Sequence, residues 1–252
     1  LVDDLLNELV NTPAPLPLLS LTLSELYRTA LQRPLDRTLA ESDYQRLGGV
    51  GGVLGQRAEA IFAGHTDAAE QASFRHLLLR MVVPGELARR CVPASELVFA
   101  DPSEQGRIDR IKDRLIAERM LVIDCDGQGQ PFVQLAHDKL VTGWARLHKW
   151  ISEDSTYALQ YSVGNAQRSH EAGGQLWTFD ARRAQAAQAL RRMPQRFSRA
   201  EAAFIRKSQR LFFGLWGSGV CVLLLLVAGL SLWLLRELQT AAQLRQDREV
   251  IH

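Results

Sequence analysis

The residues best placed to do chemistry are His137 and Asp138. They stand where the alternating run Phe132-Val133-Gln134-Leu135 gives way to a helical pattern beginning at Lys139. A side chain at such a junction points out of the end of a β-hairpin, where it can reach a ligand held by a neighbouring domain. The same junction also suits a helix cap, with Asp138 accepting first-turn N–H groups and His137 merely packed. Spacing leaves both readings open.

Other candidate constellations have plainer readings. The cluster Gly48-Gly49-Val50-Gly51-Gly52, with Gly55 beyond it, lacks the G-x-x-x-x-G-K-S/T pattern of a phosphate loop. No strand precedes it and no lysine follows, so it reads as a flexible turn at a helix N-terminus. Arg107, Arg110 and Arg114 share one helical face and could approach DNA phosphates. Asp109, Asp113 and Glu118 lie on the same helix, however, and pairs such as Arg110–Asp113 and Arg114–Glu118 make a mixed charged surface. DNA is therefore not the expected partner. The histidines His65, His76, His148, His170 and His252 form no H-E-x-x-H or His/Cys cluster, so no metal site is expected. Cys91, Cys125 and Cys221 are isolated, which suggests neither a disulfide framework nor zinc. No Ser-His-Asp or paired-carboxylate set can be assembled, so no catalytic residue is assigned and the chain by itself is expected to hydrolyse nothing.

The elements that must position these residues are mostly helical. Residues 3–10 read as a short amphipathic helix with Leu5, Leu6, Leu9 and Val10 on one side, broken by Thr12-Pro13-Ala14-Pro15. Residues 16–31 give a second helix, with Pro17 in its first turn, where a missing N–H costs least. Thr38-Leu39-Ala40-Glu41 has capping-box form and opens a helix to Leu47; the glycines then lead into a helix over 53–62. Asp67-Ala68-Ala69-Glu70 starts a helix to about Val83, ended by Pro84-Gly85. A short helix over 92–98 and a longer one over 103–119 follow, the latter striped by Ile108, Ile111, Leu115 and Ile116. β-like runs at 120–124 and 132–135 flank the turn Asp126-Gly127-Gln128-Gly129. Three helices and a hairpin are the outline of a winged helix-turn-helix domain. Residues 137–151 return to helix on Leu140, Val141, Trp144, Leu147 and Trp150. Residues 158–192 read as helical with a break at Gly173-Gly174, and Ser198-Arg199-Ala200-Glu201 caps a last helix.

That last helix runs into residues 211–235, which carry no charge. Roughly 25 helical residues reach about 37 Å, enough to cross a ~30 Å hydrocarbon core. Trp216 and Trp233 sit near its ends, as interfacial rings do. Arg196, Arg199, Arg206, Lys207 and Arg210 precede the span against Glu201 alone, so the positive-inside bias places the N-terminal portion in the cytoplasm and the chain, single-pass, in the inner membrane. With 252 residues, 46% hydrophobic, 23% charged and net charge +2, the composition is that of an ordinary globular protein with one membrane helix added. The sequence opens at Leu1 inside an apolar-periodic segment with no Met. It is read as a piece whose N-terminal partner domain lies outside it.

Several stretches together are similar to the STAND class of P-loop NTPases, and within it to the bacterial novel STAND group. They are Leu16-Pro17-Leu18-Leu19 with Leu23-Ser24-Glu25-Leu26-Tyr27; Tyr44-Gln45-Arg46-Leu47-Gly48-Gly49-Val50; Leu135-Ala136-His137-Asp138-Lys139-Leu140-Val141 with Trp144-Ala145-Arg146-Leu147; and Phe204-Ile205-Arg206-Lys207-Ser208 before the span. The resemblance implies a mainly α fold with a helical lid over 1–66, a winged-helix domain with a small β-hairpin over 67–151, a helical connector over 152–210, one transmembrane helix over 211–235 and the start of an extramembrane segment over 236–252. It implies ATP or ADP as the cofactor, with Mg²⁺ and the phosphate loop in an α/β domain N-terminal to this chain. Pro17 matches the lid proline that packs on the adenine. His137 matches the histidine of a Met-His-Asp-like motif that contacts the ADP β-phosphate, although Ala136 replaces the Met. The partners implied are the chain's own P-loop domain, the bilayer and further copies on activation, with a sensor such as a WD-repeat propeller in the family's architecture. The function so implied is the regulatory portion of a membrane-tethered signalling ATPase. The alternative is a membrane-anchored winged-helix transcription regulator.

Overall fold

The computed structural model describes residues 1–10, 15–33 and 38–249, with side chains at all of these except 17 and 237–249. Helix α1 (Val2–Val10) buries Leu5 and Leu9 only. Leu6 and Val10, expected on the same side, are exposed, because so short a helix presents a single i, i+4 stripe to its neighbours. The expected break at 12–15 lies largely outside the described residues; Pro15 already opens α2 (Pro15–Leu31). Helix α3 (Glu41–Leu47) begins after Ala40, which has no side-chain cap bond, two residues later than a cap at Thr38 would start it.

The glycine cluster is helix rather than turn. Gly48 alone caps α3 at φ 78°, and α4 (Gly49–Ala63) starts at the next residue. The N–H of Val50 in its first turn donates to Glu8 Oε2 at 3.1 Å, supplying the end with a carboxylate. The glycines serve close packing here, as described below.

Helix α5 (Ala68–Arg80) is capped by Asp67, whose carboxylate accepts the Glu70 N–H at 3.3 Å. It ends three residues before the expected Val83. The short helix expected over 92–98 is instead a two-residue strand β1 (Val92–Pro93) followed by one 3-10 turn (Ala94–Leu97). Pro93 sits on an edge strand, where its missing N–H leaves no ladder bond unmade. Helix α6 (Pro102–Ala117), capped by Asp101, buries Ile108, Ile111 and Leu115 as expected. The expected hairpin is present: β2 (Leu121–Cys125) and β3 (Pro131–Leu135) pair antiparallel, Leu121 opposite Leu135. Asp126 Oδ1 accepts the Gln128 and Gln130 N–H groups across the turn, and Gly129 takes φ 76°. β1 adds on the far side of β3, Val92 opposite Val133, giving sheet order β1-β3-β2.

The helix expected over 137–151 is two: α7 (Asp138–Gly143) and α8 (Ala145–Glu153), broken at Trp144 with φ −104° and ψ 103°. The break turns the Trp144 ring inward. Phe62, Phe74, Trp144 and Trp150 meet edge to face, with Phe62–Trp150 and Trp144–Trp150 centroids 5.2 Å and 5.4 Å apart. Such contacts add to what burial of the rings contributes. This cluster belongs to a first core running from Leu5 to Tyr157. A second core joins α9 (Ser155–Glu171), α10 (Arg182–Arg192) and the start of α11 (Arg199–Glu249) through Val163, Trp177, Leu190, Phe197, Phe204 and Ile205.

The two cores meet across buried charge. Arg80 on α5 donates to both oxygens of Glu201 on α11, at 3.0 and 2.7 Å. Arg90 donates to both oxygens of Glu96 at 2.8 Å, and Arg168 of α9 also pairs with Glu96. Glu201 additionally accepts the Ser198 N–H at 2.8 Å while Ser198 Oγ accepts the Glu201 N–H, so the expected capping box opens α11. From residue 211 onward α11 leaves the protein, and its apolar stretch is the one candidate among the described residues long and apolar enough to span a membrane. The fold is thus mainly helical, with one small antiparallel sheet.

Candidate functional site

His137 is the last residue before α7, in extended backbone at φ −139° and ψ 134°. It is 8% exposed, and its Nδ1 is buried without a hydrogen-bond partner. Burial lowers its pKa below the ordinary histidine value; the Arg89 charge lowers it further and Asp138 partly opposes both. An orphaned buried nitrogen costs about 1–3 kcal/mol, which a partner brought to it would recover.

Asp138 does not cap the helix. It occupies the first helical position, and its Oδ1 pairs with Arg89 Nε at 2.9 Å. Arg89 Nη1 also donates to the Leu135 and Ala136 carbonyls, both at 3.3 Å, tying the end of β3 to the turn after α5. The cap reading of the His-Asp pair is thereby corrected. Arg89 was not singled out from the sequence; the only signal was the pair Arg89-Arg90 following the Pro84-Gly85 turn.

Helix α7 is held by a backbone-to-backbone contact with α4. A Cβ on Gly143 would stand 2.3 Å from the Gly51 carbonyl oxygen, and one on Gly55 would stand 2.6 Å from the Gly143 carbonyl oxygen. Only glycine permits that approach. Trp144 Nε1 donates to Glu59 Oε2 at 2.9 Å, and Arg146 grips the same carboxylate, fixing the α7–α8 corner on α4. Hydrogen bonding from Arg146 is the main reason the Glu59 carboxyl is held below its usual value.

Pro17 lies in the first turn of α2, and its side chain is outside the described residues. α2 and α7 both pack on α4, so the two sequence-predicted positions stand on helices that share one neighbour. Two of the three arginines on the α6 face have partners within the protein, while Arg114 is exposed. Arg107 binds Glu104 and Ser73, and Arg110 reaches Glu70 rather than Asp113. Glu118 pairs with Arg57 rather than Arg114. The remaining described histidines are also engaged: His65 with Glu70, His76 with Glu104 and Arg80, His148 with the Thr142 carbonyl, His170 with the Gly174 carbonyl. Among the described residues no group of three His, Cys, Asp or Glu side chains could hold a metal ion.

The family model Novel STAND NTPase 1 matches residues 1–176, well over half of the 252. The chain belongs to the novel STAND NTPase family. The matched segment contains α1 through α9 with His137 and Arg89, and it ends before α10 and the apolar part of α11. No curated protein and no solved structure matches the chain. Membership of the STAND family makes residues 1–176 an NTPase-related domain.

Proposed function

We propose that this chain is the regulatory portion of a membrane-tethered STAND ATPase. In this reading residues 1–66 are the helical lid, 67–151 a winged-helix domain with the β2–β3 hairpin as its wing, and 152–210 the connector. Residues 211–235 anchor it in the inner membrane, with the N-terminal portion in the cytoplasm. ADP, bound with Mg²⁺ on a P-loop domain N-terminal to this chain, is held closed by His137. The observation that carries the proposal is the unpartnered Nδ1 of His137 at the end of β3. The residues fit a phosphate: a polar ring edge lacking a partner, beside the Arg89 cation already shared with Asp138.

The chain's own part in the switch is differential contact. A hydrogen bond from His137 to a phosphate oxygen in the closed state, absent in the open one, shifts the balance between them. Proton uptake by the imidazole near the phosphate strengthens that bond. Pro17 on α2 would pack on the adenine, and α4 would link the two positions. Opening would free surfaces for self-association. The pairing of Arg107 and Arg110 within the protein supports this role over DNA binding. The test uses the full open reading frame: ADP retained after gel filtration is compared for wild type and His137→Ala. Loss of retention with unchanged melting supports the proposal. Retention equal to wild type makes His137 a packed residue and overturns it.

A further inference from the structure

Domain and span meet at a groove between α10 and the first turns of α11, outside the residues the family model matches. Its volume is about 560 Å³, with an apolar floor of Leu190, Ile205 and Phe213 and a cationic rim of Arg191, Arg206 and Arg210. Leu190 and Ile205 are buried, whereas the three arginines and Phe213 are exposed. Among the described residues no carboxylate pairs with any of the three; Arg191 only donates to the Ala187 carbonyl of its own helix at 3.3 Å. Asp180, the acidic residue just before α10, is taken by Arg182 at 2.6 Å. The rim is cationic and unneutralised, and the floor opens toward the uncharged run that begins at residue 211.

Aromatic and cationic groups gather at the same height on α11. The loop before α10 presents Phe179, 79% exposed, with its ring 6.3 Å from that of Phe212. The Arg183 guanidinium lies 3.5 Å from the Phe212 centroid. Exposed aromatic rings beside arginines at the edge of an uncharged helix favour the headgroup level of a bilayer. A free phosphate ion would satisfy the rim and leave the floor wet. An anionic lipid satisfies both.

We infer that this groove binds one anionic phospholipid of the leaflet the domain faces. Arg206, Arg210 and Arg191 hold its phosphate, and an acyl chain lies along Leu190, Ile205 and Phe213. The inference rests on residues 211–235 spanning the bilayer, and the lipid fixes α10 against the membrane helix. The test is native mass spectrometry of the purified full chain in detergent, titrated with dioleoyl phosphatidylglycerol or dioleoyl phosphatidylcholine. Wild type is expected to bind one phosphatidylglycerol in preference to phosphatidylcholine. Arg206→Gln with Arg210→Gln should weaken that binding about twenty-five-fold, at roughly fivefold per arginine. Arg192→Gln with Lys207→Gln removes the same charge outside the groove and should leave it within about twofold. Equal weakening in both variants, or none in the first, overturns the groove. Displacement of the lipid by millimolar glycerol 3-phosphate would make it a free-anion site and likewise overturn the inference. Carbonate extraction of membranes separates the underlying reading: release of the chain overturns the span itself, whereas a retained chain with unchanged lipid binding in the first variant overturns the groove alone.

Discussion

At the scale of single residues, His137 and Asp138 separate cleanly. A hydrogen bond to a charged phosphate contributes roughly 1.5–3 kcal/mol, so His137→Ala in the full protein should weaken ADP retention about ten- to a hundredfold. Asp138→Ala breaks only a pair with Arg89 whose carboxylate is half exposed. It should lower stability by less than about 1 kcal/mol, read as a small shift in thermal melting. His76 gives a different prediction. Arg80 Nε–H donates to its Nε2 at 3.0 Å, which requires a neutral ring with its proton on Nδ1 facing Glu104. Burial, the larger cause, pushes its pKa down to about 4, while Glu104 opposes. The unfolded state therefore binds the proton first, and stability is lost as pH falls from about 6.5 toward 4. Glu104 extends the loss downward. Burial works against its ionised form, but hydrogen bonds from His76, Arg107 and Ser73 prevail and hold it to about 2, so its contribution is lost from about 4.5 to 2. Melting followed against pH should show the upper segment flattened in His76→Gln, and an unchanged slope there would refute the assignment.

At the scale of elements, the α4–α7 crossing is the feature the sequence disguised. Glycines in a row resemble a loop, yet here they are the residues that let two helix backbones touch. Adding a Cβ is asymmetric across that contact. On Gly143 it meets a carbonyl oxygen at 2.3 Å, whereas on Gly51 the nearest atom is Gly143 Cα at 3.5 Å, an ordinary contact. Gly143→Ala should therefore destabilise by about 1–3 kcal/mol or more, and Gly51→Ala should be neutral or mildly stabilising as a better helix former. Denaturant midpoints for the two variants check this, and equal effects would exclude the contact as the cause. The hairpin, the α6 stripe and the α11 capping box were legible because each is a local pattern. The α7–α8 break was not, since Trp144 continues the apolar helical spacing and only its bond to Glu59, 85 residues away, gives it another place.

At the scale of the whole molecule, Arg80–Glu201 is the bolt between the two cores, joining residues 121 positions apart. Removing one partner strands a buried charge, so Glu201→Ala should cost about 3–5 kcal/mol. Arg80→Met with Glu201→Leu should cost less than the sum of the single changes, and a double-mutant cycle on thermal unfolding measures the difference. Because Glu201 opens the helix that carries the apolar stretch, the same bond sets the angle at which that helix leaves the domain. Carbonate extraction should leave the wild-type chain in the pellet.

The sequence by itself determined the helical character, the hairpin, the uncharged helix and the family, through the STAND-like stretches around Pro17, Tyr44 and His137. Each of these depends on near neighbours in the chain or on a local order of motifs. Tertiary structure alone decided that His137 keeps an unpartnered nitrogen, that Asp138 serves Arg89 instead of a helix end, and that Arg107 and Arg110 of α6 pair with Glu104 and Glu70. Those outcomes depend on which distant residue arrives alongside: Arg89 from the turn after α5 and Glu70 from α5 itself. A side chain's charge and hydrogen-bonding capacity are written in its type, but whether that capacity is used up or left open is settled only by packing.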